Sequence, residues 1–201
     1  VKKVFYILFR YVYILMIIVS IILPFFTTEG YSIFKNTLSE LGAQNTSYNW
    51  VINIVFIALS CITIIVGITH LKGYYISLIL LFLFIISFFM TAIFLHAPID
   101  TSLDFNHFED ELHSVFSTAT GIFFCIYSLS VSFITKKFDH KILSILVSLV
   151  ALILSYSMFV HSDFRGIYQR GIFIMAFGWL LYAFKNYTYL DPKNRILKLK
   201  K

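Results

Sequence analysis

Six unbroken apolar runs constrain this chain more than any other feature of its sequence. They span about residues 4–26, 50–70, 74–95, 113–135, 141–160 and 168–185. A helix needs about 20 residues, rising ~1.5 Å each, to cross ~30 Å of hydrocarbon. Inside a bilayer the backbone has no water to bond, so each run must satisfy its own N–H and C=O groups, as a helix does. A transmembrane β-barrel would alternate with period two, and these runs do not. Composition points the same way: 59% of residues are hydrophobic and 13% charged, against about half and a quarter in soluble domains. The expectation is an all-α polytopic membrane protein, a six-helix bundle filling residues 1–186, with a basic tail over 187–201. Cys61 and Cys125 fall within apolar runs and read as small packing residues. The first run is too long for a cleaved signal peptide and lacks a small-residue cleavage site, so it reads as a retained signal anchor.

The net charge of +6 would suit nucleic acid, but its distribution argues otherwise. Placing the N-terminus in the cytoplasm puts every Lys and Arg except Lys35, Arg165 and Arg170 on the inner side. The acidic residues lie outside, Asp139 and Asp191 excepted. This is the positive-inside pattern of a cytoplasmic-membrane protein with both termini cytoplasmic. The charge is therefore a topology signal, and the expected partners are membrane lipids. The tail Lys193–Lys201 reads as a stop-transfer segment or as a basic run along anionic headgroups. Arg10, two turns into the first run, is expected to snorkel to the surface.

The polar stretch from His96 to His113 joins the third and fourth runs at the outer side. With His161 it gives four outward histidines: His96, His107, His113 and His161. Neutral imidazoles with a carboxylate such as Asp100 are ligand types for zinc, and an open position would activate water. Spacing limits the set. If the helix starts near Asn106, with Glu109 completing a capping box, His107 and His113 stand about 240° apart and cannot share a metal. If it starts nearer Asp110, His107 lies on the loop. His113 heads a stripe with Ser117, Thr120 and Gly121, a pattern of close helix packing or of a polar cavity wall. The candidate metal set is His113, Asp100 and His96; the alternative is a buried, hydrogen-bonded His113 among hydrated loop histidines.

The first outer loop contains Asn36-Thr-Leu-Ser-Glu-Leu-Gly-Ala-Gln-Asn45. Ser39–Gly42 reads as a short interfacial helix stopped by Gly42, and Asn45-Thr46-Ser47 matches a glycosylation sequon. Asn49 and Asn53 share a face of the second helix, and Asn53 needs a partner inside its apolar run. Arg170, at the outer start of the last helix, is positioned to pair with Glu40 or Asp100, or to grip a lipid phosphate or carboxylate through its fork. Gly171 and Gly178 allow close backbone approach in that helix.

Three motifs together carry a resemblance. They are Thr37-Leu-Ser-Glu-Leu-Gly-Ala, the Pro98-x-Asp100 turn followed by His113, and Gly166-Ile-Tyr-Gln-Arg170 leading to Trp179. Their order across six helices resembles the integral membrane proteins grouped as domain of unknown function 998, over about residues 5–185. That resemblance implies the fold and marks Ser39, Glu40, Gly42, Asn53, Pro98, Asp100, His113, Gln169 and Arg170, but no activity. A weaker likeness is to the membrane hydrolases that include alkaline ceramidases, which use three His, an Asp, a Ser and zinc. This chain departs from them: no two of its histidines are four apart, and it has six helices where they have seven.

Three functional readings follow. One is a lipid-directed membrane hydrolase using His113, Asp100 and Glu40, with zinc as the implied cofactor. The second is a non-enzymatic binder or carrier of a lipid or small anion, gripping it with Arg170, Asn53, Ser39 and Gln169. The third is a structural membrane protein. No phosphate-cradling Gly loop, Gly-x-Ser-x-Gly elbow, Cys-x-x-Cys, voltage-sensor helix or selectivity filter occurs in the sequence.

Overall fold

The computed structural model describes residues 2–100 and 102–191. The run Lys193–Lys201, read above as a stop-transfer segment or a basic run along headgroups, lies outside the described residues. Among the described residues seven α-helices follow one another: α1 (Lys2–Ile22), α2 (Leu38–Leu41), α3 (Asn49–His70), α4 (Tyr75–Ile93), α5 (His107–Ile134), α6 (Phe138–Val160) and α7 (Arg165–Asn186). All but α2 belong to stretches long and apolar enough to cross a membrane. The protein is an integral membrane protein built as a helical bundle.

Local sequence sets where these helices begin and end. Pro24 has no N–H to continue α1, and the chain passes into a 3-10 turn over Leu23–Phe25. Asn106 caps α5 by accepting from Glu109 N at 3.3 Å, with Glu109 and Asp110 in the first turn. Helix α5 therefore starts well before its apolar run. Likewise α7 starts at Arg165, ahead of the run at 168. Gly73, with φ +91°, makes the tight turn between α3 and α4.

The helices pack in chain order around a ring. Helix α1 lies on α3, α3 on α4, α4 on α5, α5 on α6, and α6 on α7, which closes on α1 and also touches α3. Aromatic rings fill the middle. Phe56 stacks on Phe173 with centroids 5.2 Å apart, and Phe88 and Phe84 meet Phe177 and Phe124. The outward sides, such as Ile153, Tyr156 and Phe159 of α6, are apolar and exposed, as suits a surface solvated by lipid. Hydroxyls join neighbouring helices: Ser130 bonds Ser77 at 3.1 Å, and Ser148 bonds Cys125 O at 3.2 Å.

The two ends of the bundle differ. One carries Lys72, Lys136, Lys137 and Lys185, and there residues 188–190 pair with 134–136 (Lys136 N to Thr188 O, 2.9 Å; Leu190 N to Ile134 O, 2.8 Å). The other, the loop end, carries residues 23–48, 94–106 and 161–164 and holds the candidate site.

Candidate functional site

The first loop folds down onto the start of α7. Thr37 and Glu40 form a capping box that opens α2: Glu40 N donates to Thr37 Oγ1 at 3.2 Å, and Thr37 N donates to Glu40 Oε2 at 2.6 Å. The Glu40 carboxylate also accepts from Thr37 Oγ1 at 2.9 Å, Asn36 Nδ2 at 3.1 Å and Arg165 Nη2 at 2.6 Å. It is buried, whereas Arg165 is partly exposed and also donates to Lys35 O at 2.9 Å. Gln169 completes the dock: its Oε1 accepts from Leu38 N at 2.6 Å and its amide donates to Ser39 Oγ at 3.4 Å.

Arg170 lies beneath this loop with 5% of its surface exposed. Its Nε donates to Ser20 O at 3.1 Å, and its Nη1 to Ile33 O, Asn36 O and Gly166 O at 3.0, 2.9 and 3.0 Å. Nη2 donates to the Tyr31 hydroxyl at 2.7 Å, which itself donates to Thr37 O at 2.7 Å. The bond to Ser20 has a sequence cause: the i+4 donor for that carbonyl would be position 24, a proline. Burial pushes the Tyr31 phenol above its ordinary pKa, against the opposing pull of Arg170, so Tyr31 keeps the proton it donates. Gly166 lets the loop approach, because a Cβ there would overlap the carbonyl oxygens of Ile33, Phe34 and Asn36.

The same loop is tied to α3 and to the second loop. Asn49 and Asn53 donate to Ala43 O at 2.8 Å and Gly42 O at 2.9 Å, and Gly42 is small enough for the Asn53 amide to sit over it. Gln44 donates to Leu95 O and Asn106 O and accepts from Asn106 N at 2.8 Å. Asn45 donates to Asp104 O at 3.0 Å. Loop one is thus bonded on three sides.

Of the four histidines at the loop end, His96 and His113 come together, their rings edge to face at 5.3 Å. His113, 4% exposed, donates from Nδ1 to Phe94 O at 2.8 Å, and its Nε2 is buried without a partner. His96 turns Nδ1 to Ala97 O at 2.8 Å, with Asp110 3.9 Å away. His107 and His161 are exposed. Pro98 is buried in the same loop. Asp100 is exposed and accepts from the Ser102 hydroxyl at 2.6 Å and its N–H at 3.0 Å, bonds that lower its carboxyl pKa.

These donors do not fit a zinc site. Among the described residues no group of three or more His, Cys, Asp or Glu could hold a metal ion. The set His113, Asp100 and His96 is therefore not gathered. Helix α5 begins at His107, which resolves the spacing question against a shared His107–His113 metal.

At the loop end, on the seam of α1 and α3, lies an apolar groove of about 350 Å³. Ile18 and Ile22 of α1 form one wall, and Tyr48 and Val51 the other, with Phe26 at the loop end. Two hydrogen bonds join its sides: Thr27 Oγ1 to Ser47 O at 3.1 Å, and Ser47 N to Thr28 Oγ1 at 3.0 Å. Tyr48 holds φ +59°, a left-handed conformation that costs a bulky residue about 1–2 kcal/mol.

A family model described as "Protein of unknown function (DUF998)" matches residues 12–184. The chain belongs to this family. No curated protein and no solved structure matches it.

For this DUF998 protein the structure revises several sequence expectations. Arg170 pairs with neither Glu40 nor Asp100; Arg165 takes Glu40, because the loop's carbonyls occupy the Arg170 fork. Asn53 bonds loop one rather than a neighbouring span. Ser117 and Thr120 bond carbonyls of their own helix, Ser114 O and Phe116 O, so that stripe is closed on itself. Gly171 meets Leu154 at ordinary contact, whereas Gly178 makes room for Tyr13. Arg165, Asn36, Tyr31, Gln44 and Tyr48 were not singled out from the sequence. A basic residue beside Gly166 was the one available signal for Arg165.

Proposed function

We propose that this DUF998 protein is a non-enzymatic lipid binder of the cytoplasmic membrane, with its loop end outward and both chain ends in the cytoplasm. The orientation follows from the lysines at the opposite end. The groove on the α1–α3 seam carries the reading. Its lining is apolar, and in a bilayer the material in contact with Ile18 and Ile22 is acyl chain. The occupant is one acyl chain of an outer-leaflet lipid. The strained Tyr48 and the Thr27–Ser47–Thr28 bonds support this, because they fix the mouth of the groove in shape. The candidate ligand residues Arg170, Asn53, Ser39 and Gln169 act here as supports of that wall, their polar atoms being bonded within the protein.

Filling the groove tests the proposal. A Val51→Phe variant should lose the lipid that co-purifies with the wild type at about one per chain, read by mass spectrometry of extracted lipid. Equal retention by Val51→Phe, or none by the wild type, would overturn it.

One observation favours a lipid-directed hydrolase instead: the Nε2 of His113, a buried basic nitrogen without a partner. In that reading His113 acts as general base, with Asp100 and Glu40 as the carboxylates proposed from sequence. Lipid turnover that vanishes in His113→Ala would replace the binder reading, and absence of turnover in the wild type removes the hydrolase.

A further inference from the structure

At the lysine-bearing end a second cavity, of about 200 Å³, opens between α1, α3 and α7. Its polar lining residues come from the ends of three helices: Lys3 and Tyr6 of α1, Thr69 and His70 at the end of α3, and Lys185 at the end of α7. Its floor is Val66 and Phe184. None of its lining residues is acidic, and among the described residues neither Lys3 nor Lys185 is in an ion pair. Both lysines line the cavity and are exposed, and its floor is apolar.

We propose that this cavity binds the phosphate of an anionic phospholipid headgroup. The charge of the mouth selects an anion, and helix ends of membrane spans lie at headgroup depth. The volume is several times the ~30 Å³ share of one water yet below the ~300 Å³ of ordinary ligand pockets. It therefore admits a headgroup phosphate and leaves the acyl chains outside. Those chains have a path along α1, where Val4, Ile7 and Leu8 are exposed. Lys3 and Lys185 flank the phosphate. The negative end of α7 carries Lys185 in its own last turn, whereas Lys3 stands at the positive start of α1 and has no such offset. The site lies at the opposite end from the α1–α3 groove and shares no residue with it.

The test compares binding of phosphatidylglycerol and phosphatidylcholine of equal chain length to the purified full chain, by native mass spectrometry. The wild type should prefer phosphatidylglycerol. Lys3→Gln and Lys185→Gln should each lower its affinity about fivefold, the equivalent of ~1 kcal/mol per cation near a membrane surface. Lys72→Gln, an exposed lysine at the same end that does not line the cavity, should not. Both lysines are exposed, so their variants should melt like the parent. Unchanged preference in the double variant, or an equal loss with Lys72→Gln, would overturn the proposal. Full displacement of phosphatidylglycerol by glycerol phosphate would assign the site to a soluble phosphate ester and overturn the lipid assignment. A Val51→Phe control separates this result from loss of the acyl groove.

Discussion

Replacing Arg170 by methionine measures what holds the loop end together. Methionine keeps an apolar stem and removes every N–H donor of the fork. Two of the bereaved acceptors have another partner: Asn36 O can take the Tyr31 O–H at 3.2 Å, since Thr37 O, its present acceptor, also has Leu41 N, and Gly166 O retains the backbone ladder of α7. Ile33 O has no second donor among the described residues, and Ser20 O loses the donor that substitutes for the missing Pro24 N–H. The buried Ser20 O at about 1–3 kcal/mol and the part-buried Ile33 O at the low end of that range, about 1 kcal/mol, predict a loss of about 2–4 kcal/mol. At about 2–4 °C per kcal/mol for a chain of this size, the melting temperature should fall by at least ~4 °C. The chain supplies its own reporter, since Cys125 is buried and Cys61 exposed. In a Cys61→Ala background, maleimide labelling of Cys125 during heating follows unfolding in detergent. Arg170→Lys should fall between the two, because one ammonium cannot reach all five acceptors. Melting of Arg170→Met within ~1 °C of the parent would refute the reasoning.

Gly166→Ala should destabilise by about 1–3 kcal/mol through overlap with backbone oxygens that cannot rotate away, seen as earlier melting and faster proteolysis within residues 27–37; a wild-type profile would show that the loop does not dock there. A double-mutant cycle on Glu40→Gln and Arg165→Gln should give a coupling of about 0.5–3 kcal/mol, towards the lower end because Arg165 is partly exposed. Coupling confined to Glu40 and Arg170 would restore the pairing expected from sequence.

How much of this was readable in the sequence depends on the kind of signal. The spans were legible because lipid demands long apolar runs, and α5's true start was legible in the Asn106–Glu109 pair. Gly42 announced the end of a short helix over Ser39–Gly42, whereas the Thr37–Glu40 capping box that opens it was not read from the sequence. The site's wiring was not legible. Arg170 uses backbone carbonyls, and a carbonyl leaves no mark in residue type. Pro24 was in view, but its consequence for Ser20 depends on a side chain 150 positions away. Tyr48 was hidden for a different reason, since bulky residues rarely adopt positive φ and nothing local calls for it. The histidine-rich stretch suggested a metal because ligand types are visible in sequence while their directions are not; two rings meet, and Asp100 bonds Ser102 instead.

Two of the three motifs that carried the resemblance, around Thr37–Gly42 and Gly166–Arg170, are two halves of one clasp. Cation and anion are joined by relays rather than by contact. Arg170 donates to Asn36 O, and the Asn36 amide donates to Glu40; Arg170 also donates to Tyr31, which donates to Thr37 O, and Thr37 N donates to Glu40. Arg165 closes the chain from the partly exposed side. A bare buried guanidinium would cost several kcal/mol; oriented carbonyl dipoles, with a carboxylate one layer further out, reduce that cost without a direct ion pair. Such a network has no free group to offer a substrate while it is intact, and it holds residues 31–42 against α7. A loop fixed in this way is a poor lid. Access to the α1–α3 groove must then come sideways from the bilayer, between Ile22 and Tyr48, and not from water above. A lipid binder needs that route, whereas an enzyme drawing water to His113 would need the loop end to open.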